Sequence, residues 1–399
     1  MRKNMCWLGW PEDRPILLTA GASTQSRARR PNPWPGARVV NRSATRETWE
    51  LPSGKYMNML TWVFDQGGPV LGYTCRTNAL TRRILDRVVV EEGNGMFGPG
   101  SIVSALEVEA AHALVDAVGG VFPGGSLGVR FFQNGSDACD AAVRVARAAT
   151  GRKRYASIGY HGSSQLFATE PQCGGILKGA VDGRTMVEFG DMMALAAAVT
   201  QETACVIVEV PSIDEVAATF LLQVKDACDF LGALFILDEV VTGFRLSFTG
   251  AAGHYGVTPD LACYGKAMSN GRPVAALVGN RRVMDALVND AFYSCTMNGD
   301  PQGMAHVLGT LQALRGMDYR CLWTTGEKLR SAMAGVGVQV IGHAPRTVSQ
   351  IGPEVKKGMI QAGVVMDQPN YATFAHTQED IEDTAAAAEI ALDHLQSEF

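Results

Sequence analysis

The sequence predicts an α/β fold, in which a large domain on a mainly parallel sheet sits beside a smaller α+β domain drawn from both chain ends. Three observations carry that expectation. Between residues 128 and 279, short apolar runs of strand character alternate with helix-period segments, as a parallel sheet covered on both faces requires. A chain of 399 residues with 47% hydrophobic content can bury a sizeable core and divide into two lobes. One apolar run, Ala233-Leu234-Phe235-Ile236-Leu237, delivers Asp238-Glu239 to its carboxyl end, which is where open α/β sheets bind ligands.

Taken in order, residues 1–45 are rich in Pro, Arg, Ser and Gly and read as an irregular N-terminal arm. Residues 46–75 form the N-terminal part of the small domain, with a hairpin turning at Pro52-Ser53-Gly54. Residues 76–300 make the large domain. It opens with helices over 78–90 and 102–118, the second carrying Leu106, Ala110, Leu114 and Val118 near the 3.6 period. Strands follow at 129–133, 154–159, 204–210, 233–237, 261–265 and 275–279, with helices between them. Residues 301–399 supply a linking helix, 301–317, and a C-terminal lobe whose last helix, 378–396, starts at a Thr377–Asp380 capping box.

Bulk properties narrow the function. A net charge of −5 with 19% charged residues gives no electrostatic footprint for nucleic acid or an anionic membrane. Nine scattered cysteines form no C-x-x-C pair and read as reduced thiols. Seven histidines show no H-x3-H or H-E-x-x-H spacing, so no metal is expected. The basic start, Met1 to Trp7, leads into no apolar stretch, and no window of eighteen apolar residues occurs. Cytoplasmic residence is the default expectation.

The chemistry begins with Lys266, twenty-eight positions after Asp238. A lysine and a strand-end carboxylate in this order suggest a pyridoxal phosphate enzyme, the lysine forming a Schiff base with the aldehyde and Asp238 holding the pyridine nitrogen protonated. A solvated lysine and a capping aspartate would look the same in isolation. A third element joins them: the strand 128–133, the turn Asn134-Gly135-Ser136-Asp137 and a helical pattern over 138–150. Unpaired N–H groups at the helix start, close approach at Gly135 and the Ser136 hydroxyl make a phosphate seat, or equally an ordinary N-cap at Asn134 or Ser136.

Together these blocks resemble the class-III aminotransferases, fold type I of the pyridoxal phosphate enzymes, and in particular the glutamate-1-semialdehyde 2,1-aminomutase-like branch. The resemblance rests on the order of turn, aspartate and lysine and on Asn134-Gly135-Ser136-Asp137-Ala138, Ala142-Val143-Arg144-Val145-Ala146-Arg147, Gly159-Tyr160-His161-Gly162, Asp238-Glu239-Val240-Val241-Thr242-Gly243-Phe244-Arg245 and Gly256-Val257-Thr258-Pro259-Asp260-Leu261. It implies that Tyr160 stacks on the cofactor ring, with His161 one layer out and Val240 beneath the ring. It implies a homodimer in which Thr296 reaches the neighbouring chain's phosphate. Glu209 matches the family's Glu-Pro motif only in part, since Val210 precedes Pro211. Arg27 lies near the position where aminomutase relatives bind the substrate carboxylate, though a solvated basic patch reads the same way.

The expected activity is transfer of an amino group between a small-molecule donor and an aldehyde or keto acceptor through Lys266. Intramolecular 2,1-aminomutase chemistry or α-decarboxylation would use the same residues. A noncatalytic cofactor-binding relative is the reading from another class. A nucleotide-dependent oxidoreductase finds no support, because no G-x-G-x-x-G follows a strand.

Overall fold

The computed structural model describes residues 38–42, 47–50, 56–58, 71–72, 103–168, 174–211, 217–365 and 369–397. The expected helix over 78–90 and the turn at 52–54 lie outside these. The strands run in chain order β1 (Arg38–Arg42), β2 (Glu47–Glu50), β3 (Tyr56–Asn58), β4 (Leu71–Gly72), β5 (Leu127–Phe132), β6 (Arg154–Ile158), β7 (Arg184–Met186) and β8 (Thr203–Glu209). They continue with β9 (Leu234–Glu239), β10 (Leu261–Tyr264), β11 (Ala275–Asn280), β12 (Val340–His343), β13 (Arg346–Ser349), β14 (Val364–Val365) and β15 (Asn370–Tyr371).

Seven of them make the central sheet in the order β5-β11-β10-β9-β8-β6-β7. The pairs β7–β6, β6–β8, β8–β9 and β9–β10 are parallel, while β11 runs antiparallel to both β10 and β5. Its residues explain the layering. In β8, Val206 and Val208 enter one core and Cys205 and Ile207 the other; in β9, Phe235 and Leu237 face the first and Ile236 the second. Such a period of two with apolar residues on both sides demands cover on both faces. The helix Ala217–Leu231 supplies Phe220, Leu221, Val224 and Cys228 to the first core. On the opposite face the helix Gly135–Thr150 supplies Ala138, Ala142, Val143, Val145 and Ala146.

Three details depart from the sequence expectation. The edge strand β7 was not anticipated; three residues are too few to show a period. Residues 38–42, assigned to an irregular arm, form β1 and pair antiparallel with β2, which in turn pairs with β3 through Trp49 and Met57. The helix expected from Ala138 starts at Gly135, capped by the Asn134 side chain, which accepts the Asp137 N–H at 2.9 Å.

The C-terminal lobe packs the helices Arg320–Gly335, Pro353–Gln361 and Gln378–Ser397 around Leu329, Met333, Met359 and Ala388. At the start of the last helix, Asp380 N–H donates to Thr377 Oγ1 and Thr377 N–H to Asp380 Oδ2, a reciprocal cap. β14 pairs in parallel with β4, joining residues from early in the chain to this lobe. No helix among the described residues is long and apolar enough to cross a membrane.

Glu239 fixes how the chain leaves β9. Fully buried, its carboxylate accepts the N–H groups of Ala251 and Ala252 at 2.9 and 2.8 Å and the hydroxyl of Thr242, pinning the helix Gly250–Tyr255 to the strand end. Burial raises its pKa to about 7 despite those three donors. Because the folded value lies above the unfolded 4.5, this group's stabilisation is complete below pH 4.5 and is lost as pH rises through 7. At about 1.36 kcal/mol per pH unit between the two values, the loss has a ceiling of about 3 kcal/mol. Denaturant midpoints measured from pH 4.5 to 8 are expected to fall less steeply in Glu239→Gln than in the parent protein.

Candidate active site

The loops after four strands, with β8's final residue, converge on one cavity of about 490 Å³. β5 leads to Gln133, Asn134, Gly135 and Ser136; β6 leads to Tyr160, His161 and Gly162; β8 ends in Glu209; β9 carries Asp238, with Val240 and Val241 just past its end; β10 leads to Lys266 and on to Gly271-Arg272-Pro273-Val274. Cys139, one turn into the helix that starts at Gly135, completes the wall. The volume lies in the range of small-molecule and cofactor sites.

Asp238 is 3% exposed, and its hydrogen bonds are divided unevenly. Oδ2 meets His161 Nδ1 at 2.8 Å and takes the Cys139 S–H at 3.3 Å, while among the described residues Oδ1 accepts only the Val240 N–H, at 3.1 Å. Two buried donors therefore hold one oxygen in place and leave the other with acceptor capacity. The donor atoms of Cys139, His161 and Asp238 lie within 4.8 Å of one another, a grouping of a kind that can hold a metal. Both the thiol and the imidazole are already directed at the carboxylate, which fits a hydrogen-bonded set that orients Asp238. His161 Nε2 is buried and has no hydrogen-bond partner among the described residues.

Lys266 follows β10 directly. Its φ of 43° lies in the left-handed region, where non-glycine residues seldom sit, and its carbonyl accepts the N–H groups of Ser269 and Asn270 at 3.2 and 3.1 Å. Backbone held in such a conformation concentrates at functional positions. Gly265 before it packs toward Val240, where a Cβ would come within 3.4 Å of Cγ1.

The turn after β5 is built for close approach. A Cβ on Gly135 would stand 2.8 Å from Val240 Cγ1, so only glycine lets the helix start so near the floor of the cavity. Asn134 takes the Asp137 amide, leaving the earlier first-turn amides without an intrahelical acceptor. Ser136 Oγ accepts the Ser163 N–H at 3.2 Å, tying this turn to the Tyr160 loop. Gly162, at φ 95°, packs over the same serine: a Cβ there would lie 2.0 Å from Ser136 Oγ. Gly162→Ala is expected to cost about 1–3 kcal/mol of stability through backbone strain and displacement of Ser136. Chemical denaturation together with titration of a phosphate-bearing ligand checks this, and an unchanged midpoint would count against the packing described.

Tyr160 lines the cavity and is 71% exposed as a residue, so its aromatic ring is available for a planar ligand to stack against. Its N–H donates to Glu209 Oε2 at 3.1 Å. Glu209 is in register with Asp238 across β8 and β9, and Oε1 faces Arg346 Nη2 of β13 at 3.7 Å. Burial and the neighbouring Asp238 raise the Glu209 pKa, against the lowering effect of Arg346.

Of the residues singled out in the sequence, the structure brings Gly135, Ser136, Tyr160, His161, Glu209, Asp238, Val240 and Lys266 to the one cavity. Thr296 is exposed and does not line it in its own chain; the adjacent Met297 carbonyl accepts from Gln133. Arg27 lies outside the described residues. Sequence reasoning missed Cys139 and Arg272. Cys139 had a usable signal, since one helical turn from Gly135 places it on the same face.

Comparison with known proteins decides the family. The family model for Aminotransferase class-III matches residues 98–322, more than half of the chain. The chain belongs to the class-III aminotransferases. Among curated relatives, glutamate-1-semialdehyde 2,1-aminomutase 2 of Bacillus velezensis is 28% identical over 408 residues, covering 88% of this chain and 89% of the relative. The glutamate-1-semialdehyde 2,1-aminomutase of Bacillus subtilis is 28% identical over 402 residues, with 88% and 89% covered. Among solved structures, the PLP internal aldimine form of the FumI protein of Sphingopyxis sp. MTA144 superposes with a TM-score of 0.74 at 24% identity, covering 88% of this chain and 87% of that one. A transaminase with PLP bound gives a TM-score of 0.72 at 22% identity, covering 91% and 92%. These likenesses show that this class-III member has the fold type I architecture expected from its sequence.

Proposed function

We propose that this class-III aminotransferase binds pyridoxal 5'-phosphate in the cavity and moves an amino group between a small-molecule donor and an aldehyde or keto acceptor. The observation that supports this most directly is the meeting of Lys266 and Asp238 in one cavity that the Gly135–Ser136 turn also lines. The residues fit the group. The glycine-cleared helix start suits a phosphate, the open face of Tyr160 and the side chain of Val240 suit the two faces of a ring, and the acceptor capacity left on Asp238 Oδ1 suits a protonated ring nitrogen. When bound, pyridoxal phosphate supplies an aldehyde that condenses with primary amines and a pyridinium ring that takes up the electron pair of a broken Cα–H bond.

The chain's own groups do the rest. Lys266 Nζ would hold the aldehyde and, once displaced by the donor amine, would take the proton from the substrate's Cα and return it two atoms along, a 1,3 shift. Asp238 Oδ1 keeps the proton on the ring nitrogen, oriented by His161 and Cys139 from behind. Gly135 and Ser136 hold the phosphate. The working unit is a homodimer, with Thr296 reaching the neighbouring chain's phosphate seat, and its residence is cytoplasmic; the six described cysteines are all free, in keeping with a reducing compartment.

Isomerisation within one molecule is the second reading, favoured by the names of the curated relatives. One experiment tests both. Cofactor-loaded protein is mixed with a panel of amines, amino acids and amino aldehydes, and the ultraviolet–visible spectrum and products are followed in a single turnover. Release of a keto product supports transfer, and conversion of an amino aldehyde to its isomer without a second substrate supports the mutase. If no member of the panel changes the spectrum or yields product, amino-group chemistry at this site is wrong.

A further inference from the structure

We infer that Arg272 is the anchor for a carboxylate of the substrate, so that this site prefers donors or acceptors bearing a carboxylate over the uncharged amines of the same skeleton. The inference rests on the amino-transfer reading above and gives it a substrate class.

The charges lining the cavity carry the argument. The cations on its wall are Lys266 and Arg272, and the anions are Asp238 and Glu209. Asp238 is held from behind by His161 and Cys139, and Glu209 stands opposite Arg346 and the Tyr160 amide. Lys266 is committed to the cofactor aldehyde. Arg272 has no carboxylate within ion-pair distance among the described residues, and it is exposed, so the guanidinium can be reached from solvent.

It is nonetheless fixed. Its N–H donates to the Ser269 carbonyl at 3.4 Å and its own carbonyl accepts the Ser269 hydroxyl at 2.6 Å, setting the backbone of the loop. Nε donates to His306 Nε2 at 3.2 Å. His306 is kept neutral because burial first, and the Arg272 charge second, push its pKa down to about 4, so the imidazole stays an acceptor across the neutral range. With Nε tethered, the Nη1–Nη2 edge is pre-oriented, and that edge presents the paired donors that match the two oxygens of a carboxylate. The neighbours Pro273 and Val274 also line the cavity and bring no side-chain donor. A single guanidinium with apolar flanks matches one negative charge, which favours a carboxylate over a phosphoryl dianion.

The test uses full-length, cofactor-loaded protein and the variants Arg272→Leu and Arg272→Lys. Amino acids, including 4-aminobutanoate, are compared as donors with the amines lacking the carboxylate, such as butylamine. Arg272→Leu should raise KM for the carboxylate donors by about tenfold or more, with Arg272→Lys in between, while the constants for the uncharged amines change by less than about twofold. Equal losses on both donor types, no loss on either, or a parent protein that takes the amines and refuses the acids overturns the inference. So does weakened cofactor affinity in an absorbance titration of Arg272→Leu, which would put the guanidinium on the cofactor phosphate. Calorimetric binding of pentanoate separates this inference from the functional reading. If the parent transfers no amino group yet binds pentanoate in an Arg272-dependent way, the reading fails and the anchor stands; pentanoate binding that is absent, or that ignores the substitution, removes the anchor.

Discussion

Replacing Lys266 with alanine is expected to lower amino-group transfer by at least about 10³-fold and to remove the near-visible absorbance of cofactor joined to the lysine. A positioned general acid–base contributes about 10²–10⁴-fold by itself, and this substitution would also remove the proposed covalent tether. The fold should survive. Lys266 is half-buried at the cavity wall, and alanine retains the backbone carbonyl that accepts from Ser269 and Asn270, although the left-handed φ of 43° carries a strain cost for any residue with a Cβ. Single-turnover kinetics and a spectral scan of the purified variant check the expectation. Retention of a tenth or more of the parent rate would show that the amine at 266 is not the proton carrier.

The second large effect is expected at Asp238. Asp238→Asn preserves shape but keeps a single acceptor oxygen, so it cannot serve the Val240 amide and the His161 and Cys139 donors together, and it cannot hold a proton on a ring nitrogen; a fall in kcat of roughly 10²–10³-fold is expected, with a loss of stability smaller than that of alanine. Asp238→Ala should lose activity and stability together. It strands the His161 and Cys139 donors in a buried site, at about 1–3 kcal/mol for each donor left unsatisfied. The contrast is informative: if Asn and Ala reduce kcat alike but Ala shifts the denaturant midpoint further, the carboxylate's charge serves catalysis and its hydrogen bonds serve the fold. An Asn variant with unchanged kcat would remove Asp238 from the reaction.

Much of this site could be read in the chain before any coordinates, and the reason is local. Asp238 ends an apolar run, Gly135 sits in a strand–turn–helix junction, and Lys266 follows a four-residue strand; each announces itself within about a dozen neighbours. The alternation of apolar residues on both faces of β8 and β9 likewise makes a covered parallel sheet the natural solution. What stayed hidden depends on long-range approach. The His161–Asp238 contact joins residues 77 apart, the Cys139–Asp238 contact residues 99 apart, and the Glu209–Arg346 pair joins the sheet to the C-terminal lobe; no periodicity encodes these. Strand direction was hidden too, since the run 275–280 reads the same whether it lies parallel or, as β11 does, antiparallel. Edge elements such as β7 are too short to carry a pattern at all.

The lacing of the C-terminal lobe to the sheet has a practical outcome for anyone cutting this chain into pieces. Arg346 of β13 reaches Glu209, and Arg245, in the loop after β9, donates to the Ala372 carbonyl and lies over the Tyr371 ring. Trimming the protein after the linking helix would strip the acceptor and aromatic cover from one inward-facing guanidinium and the counter-charge from one acidic side chain. A catalytic fragment ending there should therefore come out of expression insoluble, and a minimal version of this enzyme has to keep its tail.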